Sequence, residues 1–309
     1  MSKITSIGGQ ALLEGIMMTG PFRTVAAFCD KDGNITTEEM KVTHLRDKYP
    51  VLGKPFIRGI FSFIDSLKMG MDAIEISADK AGIDDEEELS KFEKWLDEKL
   101  GDKIGKVIAL VGSVLGVALA VVLFMLVPTL IFNLIKHFAG EGIEPLRAVF
   151  EGLLRLAVFV TYVSLVALVP DIKRTFMYHG AEHKTIFCYE NELELNVENV
   201  RKMSRFHPRC GTSFMIILIL LGIVVGMFIP ITHPLLRTLC KLLTLPIVIN
   251  LGYELIKLCG KHDNALTRII AAPGLWMQRI TTKEPEDNMI EAAIAAIKEV
   301  IPENGEDLL

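Results

Sequence analysis

Five residues in one polar stretch carry the side chains best suited to chemistry: His179, Glu182 and His183, then His207 and Cys210. The first three spell HxxEH. On a helix, positions i and i+4 share a face, so both imidazoles can ligate one metal ion, and the glutamate between them can take a proton from bound water. This is the inverse of HExxH, and inverted zinc peptidases use it. Such short patterns also arise by chance, and two surface histidines beside a solvated glutamate are the plainer account of one. His207-Pro-Arg-Cys210 adds weight, because a histidine and a thiol three apart would complete four N/S donors of the kind zinc takes. Three donors leave a position for water, as in a catalytic site; four close a structural one. The site expected is therefore His179, His183, His207 and Cys210 around zinc or another divalent metal, with Glu182 as the catalytic acid/base. A different chemistry open to the same residues makes Cys210 a nucleophile activated by a histidine.

The elements that must position these groups are mostly apolar. Half of the 309 residues are hydrophobic but only 7% are aromatic, and the mean hydropathy is +0.39. The aliphatic excess is concentrated in runs. Residues 107–131 carry no charge for 25 positions, enough for a hydrocarbon core of about 30 Å; Gly112 and Gly116 in this run form a GxxxG that could admit a neighbouring helix. A second span runs to Pro170 and must extend back through Arg147, Glu151 and Arg155, which share a helical face and can pair with each other. Residues 214–231 form a third, and 239–258 a fourth that contains Lys241, Glu254 and Lys257. Glu254 there needs a partner, Arg155 or Arg147, or else serves as a metal ligand.

Outside the spans, residues 1–50 read as a small mixed segment. Asp30 to Gly33 is a turn signal between TVAAFC and NITTEE, which predicts a hairpin. Glu14 stands in an apolar run, either functional or on the outward side of a helix. Residues 55–80 place Asp65, Lys68, Asp72, Glu75 and Asp79 on one helical face, and 81–106 is an acidic, solvated arm with Trp95 near the headgroups. After Gly260 the chain reads as loop through 273–285, then as a short amphipathic helix over 287–300. The predicted organisation is a cytoplasmic segment 1–102, a transmembrane region 103–258 with a cytoplasmic His/Cys loop at 171–213, and a cytoplasmic tail 259–309.

Charge sets the expected orientation. The 171–213 segment holds seven Lys and Arg residues, while the 232–238 connection holds only Arg237. By the positive-inside rule both termini and the His/Cys loop are cytoplasmic. A net charge of -5 and the lack of a basic patch argue against a nucleic-acid partner. Five cysteines without a CxxC pair argue against a disulfide framework, and GGQALLEG lacks the pattern of a phosphate-binding P-loop.

GGQALLEGIMM (8–18), FIRGI (56–60), YHGAEHK (178–184), HPRCGTSF (207–214), GYELI (252–256) and PGLWMQRITTKEP (273–285) together resemble the YqhQ-type family of bacterial membrane proteins, over nearly the whole chain. A departure is Thr19, where that pattern carries arginine. The resemblance implies a polytopic inner-membrane protein with a metal-dependent activity. The fold class expected is an α-helical polytopic membrane protein of four transmembrane helices with a mixed α/β cytoplasmic portion. The expected function is metal-dependent hydrolysis of a lipid-linked or membrane-protein substrate, with Arg174 or Arg209 holding an anionic group. Two rival classes remain: a non-enzymatic protein that binds or regulates another membrane complex, and an oligomeric transporter. Membrane lipids, another integral membrane protein or a second copy are the partners these readings imply.

Overall fold

The computed structural model describes residues 4–30, 33–42, 45–55, 57–81, 104–261 and 264–307. Most of the acidic arm, including Trp95, lies outside the described residues. The chain divides into two compact units, one of residues 1–82, 160–218 and 246–309, the other of 83–159 and 219–245.

The first unit begins with an antiparallel sheet of four strands in sequence order: β1 (Gly8–Leu12), β2 (Gly15–Thr19), β3 (Thr24–Cys29) and β4 (Ile35–Met40). The β3–β4 hairpin is the one the Asp30–Gly33 signal predicts. β1 and β2 form a further hairpin, and Glu14 stands in its tight turn at φ 47° rather than on a helix. Helix α1 (Arg58–Ala81) covers one sheet face, where Leu12, Met17, Ala26 and Phe28 meet Ala73. The alternate residues, Ile16, Met18, Val25 and Ala27, point to the other face. There they pack with Tyr178, Ala181 and Ile186, and with Met289, Ala293 and Ile297.

The next five long helices are α2 (Ile104–Val121), α3 (Val127–Ala139), α4 (Arg147–Val166), α5 (Pro170–Glu190) and α6 (Gly211–Met227). Three of them precede the return to this core, which α5 makes. A π-helical turn at Val122–Leu126 joins α2 to α3. The chain closes with α7 (Pro234–Lys261), α8 (Ala265–Thr281) and α9 (Asp287–Val300). α5 supplies Tyr178, Ala181 and Ile186 to the core and α9 supplies Met289, Ala293 and Ile297. Alanines along α9 let its backbone lie close to the sheet, and each larger side chain fully buried there contributes roughly 1.5–3 kcal/mol.

Among the described residues, three helical stretches are long and apolar enough to cross a membrane: Val111–Ala139, Glu141–Val166 and Pro234–Cys259; α6 is apolar but shorter. This is a multi-pass membrane protein with an α/β portion. The first stretch reaches eight residues past the expected end at 131, and the last begins at Pro234 rather than 239. A Cβ built on Gly112 or Gly116 meets nothing within 4 Å, so no helix described in this chain uses that GxxxG.

The charges inside the apolar stretches find partners that spacing alone does not reveal. Glu254 accepts two hydrogen bonds from Arg58 of α1, at 2.7 and 2.6 Å, a partner outside those the spacing suggested. Glu151 is held chiefly by Arg237 and Lys241, with Arg147 at 3.6 Å, while Arg155 donates to the Phe124 carbonyl in the π-helical turn. The stretch expected as loop around 273 is helical. Asn264 caps α8 through a reciprocal box with Thr267, and burial of Ala271, Met277, Gln278 and Thr281 holds the helix through Pro273.

Candidate metal centre

α5 carries His179 and His183 one turn apart, with ring centroids separated by 4.5 Å. Cys210 sits immediately before α6. The available ligand atoms of these three residues lie within 4.8 Å of one another.

Main-chain carbonyls orient both imidazoles. His179 Nδ1 is 2.9 Å from the Thr281 carbonyl at the end of α8, and His183 Nδ1 is 2.6 Å from the Arg205 carbonyl. A carbonyl can only accept, so each ring carries its proton on Nδ1 and keeps a lone pair on Nε2. Histidines that bind metals are held in this way. His179 Nε2 faces Cys210 Sγ at 3.2 Å. Tetrahedral zinc with ordinary Zn–N and Zn–S bonds would set these atoms about 3.6 Å apart, a small displacement from what is observed. The donor set therefore fits a zinc-like ion.

Glu182 lies outside the three donors. It is 7% exposed, and its Oε1 accepts the Gly9 N–H from β1 at 3.1 Å. Burial pushes its carboxyl above the ordinary range, against the opposing pull of His179. His207 also lies outside, and both its nitrogens are engaged elsewhere. Nδ1 accepts the Arg209 N–H at 3.3 Å, and Nε2 is 3.5 Å from Glu190. Burial, against the hydrogen bond to Glu190, lowers His207 to about 4, so at neutral pH the pair is a neutral imidazole donating to a carboxylate. Gln278 fixes the loop by bonding both the N–H and the carbonyl of His207, each at 2.7 Å.

The two arginines considered for holding an anion are both committed to carboxylates. Arg209 pairs with Glu190 and donates to the Thr5 carbonyl at 2.7 Å. Arg174 grips Glu14 through two bonds, at 2.5 and 2.7 Å. Burial would raise Glu190, but His207 and the Arg209 charge outweigh it and hold the carboxyl low. Sequence reasoning missed Glu190, although it stands two turns beyond His183 on the same face. It also missed Gln278 and the carbonyls of Thr281 and Arg205, and a main-chain acceptor leaves no signal in residue type. A cleft of about 680 Å³ opens onto the centre, lined by Ile7–Ala11, by Ser66 and Met69 of α1, and by the site residues.

The profile of the family described as "Protein of unknown function (DUF1385)" matches residues 54–303. This chain belongs to the DUF1385 family. It is 35% identical over 305 residues to the uncharacterized protein YqhQ of Bacillus subtilis strain 168, across 95% of this chain and 92% of that protein. No solved structure matches it. The DUF1385 match contains α5, the Cys210 turn and α8, which together supply every group of the centre except the Gly9 amide.

One glycine in this DUF1385 chain explains how α5 and the segment after α8 come so close. A Cβ on Gly180 would collide with the Lys283 carbonyl oxygen, in a segment whose Lys283 N–H bonds the Phe176 carbonyl at 2.8 Å. The same approach delivers the Thr281 carbonyl to His179. Alanine would favour the helix by up to about 1 kcal/mol, but a clash with backbone cannot relax cheaply. Gly180→Ala is expected to lose about 1–3 kcal/mol of stability, read by denaturant melting in detergent.

Proposed function

We propose that this protein is a metal-dependent hydrolase working at the cytoplasmic face of the membrane. The metal would be held by Nε2 of His179, Nε2 of His183 and Sγ of Cys210. The observation that carries the reading is the convergence of one ligand atom from each of the three residues within 4.8 Å, with both Nδ1 positions facing carbonyls. Two nitrogens and a sulfur suit zinc, and three protein ligands leave a coordination position for water. Bound zinc would lower the pKa of that water toward neutrality. Glu182 takes the proton from the attacking water and delivers it to the leaving group. The Gly9 N–H fixes one carboxylate oxygen and leaves the other for this work.

A topological argument supports four crossings. The sheet, α5 and α9 share one hydrophobic core, so they lie on the same side of the bilayer. Two long apolar stretches separate the sheet from α5, which returns the chain to that side. Between α5 and α9 only Pro234–Cys259 is of full length, so α6 supplies the other crossing. Its 17 residues span about 25 Å, and local thinning of the bilayer accommodates a few ångströms of mismatch. The seven basic residues of 171–213 favour the cytoplasm for this shared side.

Elemental analysis of the detergent-purified chain tests the centre. Near-stoichiometric zinc is expected, falling at least about tenfold in His179→Ala and Cys210→Ala but retained in His207→Gln. A wild-type chain that neither holds zinc nor gains stability when zinc is added would sink the reading. The 3.2 Å contact between His179 and Cys210 also suits a cysteine nucleophile. That account predicts metal-independent alkylation of Cys210 and gives the third donor, His183, no role.

A further inference from the structure

The wall of the cleft beside the centre is the open edge of the sheet. β1 is the outer strand, and the ladder fixes which of its groups are free of β2. Asp30 and Asn34 form a bonded pair across β3 and β4, so the even residues of β3 bond to β4 and the odd ones to β2. Carried through the registers Ile16↔Ala27 and Gln10↔Met17, the alternation assigns Gly8, Gln10 and Leu12 to β2. The N–H and C=O groups of Ile7, Gly9 and Ala11 then point outward; the Ile7 N–H is taken by Thr5 Oγ1 at 3.1 Å and the Gly9 N–H by Glu182, which leaves the Ala11 N–H and the three carbonyls for a partner. The Gly9 N–H agrees, since it donates to Glu182 and not to β2. Gly9 is exposed, and Ile7–Ala11 all line the cleft together with His179, Glu182 and Cys210.

We propose that the substrate is a polypeptide in extended conformation, bound by adding a strand to β1. This rests on the hydrolase reading above and names its substrate class. A row of outward main-chain carbonyls with the Ala11 N–H among them is complementary to another strand. Gly8 and Gly9 present no side chains to keep a second backbone away. The strand would run past Gly9, the residue that touches Glu182, so a carbonyl of the bound chain arrives beside the centre.

Charge argues against the main rival, an anionic lipid or other phosphate ester. Among the described residues lining the cleft, Arg209 is the only Lys or Arg, and Glu190 neutralises it. A phosphate would meet Glu182 with no uncompensated cation among the described lining residues. In the reaction, the oxygen of water bonds to the peptide carbonyl carbon and the C–N bond breaks. Glu182 moves the water's proton to the leaving nitrogen, so one carboxylic acid and one amine form per water consumed.

Two measurements test the proposal on the full-length chain in detergent. The first is hydrogen exchange of Glu182→Gln protein, whose amide can still accept from Gly9, with reduced carboxymethylated α-lactalbumin as a permanently unfolded probe. Slower exchange at Ala11 is expected, and unchanged exchange there at saturating probe overturns the proposal whether or not zinc is bound. The second is hydrolysis of the same probe by zinc-loaded protein. Ala11→Pro removes one outward donor at an edge position where proline is tolerated, and kcat/KM is expected to fall about tenfold at equal zinc content. N-methylation of single amides in a short cleaved peptide should produce losses of similar size at alternate positions, which requires no change in the protein. Zinc-dependent cleavage of phosphatidylglycerol vesicles without cleavage of the unfolded probe would overturn the peptide assignment and leave the metal reading standing. Absence of zinc would remove the hydrolase reading, while protection of β1 would still report strand addition.

Discussion

Glu182→Gln is expected to retain zinc and lose turnover, with kcat falling about 10²–10⁴-fold, the usual worth of a positioned acid/base. The side chain keeps its shape, and its oxygen can still accept the Gly9 N–H that Glu182 holds at 3.1 Å. What it loses is the capacity to carry a proton. Because Glu182 is not among the three converging donors, its replacement should leave metal content unchanged. His179→Ala, in contrast, should lose zinc and activity together, since it deletes both a donor and the partner of the Thr281 carbonyl. Unfolded-polypeptide hydrolysis, zinc content and melting temperature, measured on the same preparations, separate the two cases. If Glu182→Gln is as active as wild type, Glu182 is a tether for β1 and not the acid/base. If it unfolds, burial of the carboxyl at the sheet edge is its purpose. Glu182→Ala, which loses tether and proton carrier alike, should also be less stable than Glu182→Gln.

Much of the centre was legible because helical spacing is local. HxxEH predicts two imidazoles on one face, and α5 is a helix throughout that motif. His207 shows where such reasoning stops. Its distance from Cys210 in sequence suits a ligand pair, yet the use of its two nitrogens is decided by Glu190 and a main-chain N–H. The sheet divides in the same way. β3–β4 announces itself through its turn, whereas β2 hides because Ile16, Met17 and Met18 are all fully buried. A strand covered on both faces shows no alternation and reads as any short apolar run. In α8, Pro273-Gly274 suggests a break, but the Asn264 cap and the buried face prevail over local propensity. Gly274 instead marks close packing, since a Cβ there would stand 2.6 Å from the Ser213 Cα.

The partner of a buried charge is the least legible feature of all, and Glu151 gives it the largest energetic consequence. Glu151 is 2% exposed and lies within the apolar stretch Glu141–Val166. It accepts from Arg237 Nε at 3.0 Å and from Lys241 Nζ at 2.7 Å. Both cations are themselves buried. Lys241 has one further bond, to Thr129 at 3.0 Å, and Arg237 turns its other nitrogens to the carbonyls of Gly226, Ile229 and Ile231. Two positive charges thus depend on one carboxylate where water is scarce, while Arg147, 3.6 Å from Glu151, has Glu144 as a partner of its own. Removing that carboxylate strands both cations, and breaking a buried pair in this way costs about 3–5 kcal/mol. Glu151→Leu is therefore expected to lower stability by that amount in detergent melts, well beyond what the loss of packing would cause. Leucine at a lipid-compatible position should otherwise be tolerated, so a neutral result would show that the cations reach water. Adding Lys241→Met to Glu151→Leu should restore part of the loss, because one stranded charge goes with it. The two changes should therefore be non-additive by more than about 1 kcal/mol in a double-mutant cycle. Arg237 should hold back full recovery, since its charge would remain, balanced by the dipoles of the carbonyls in the last turn of α6 and just after it.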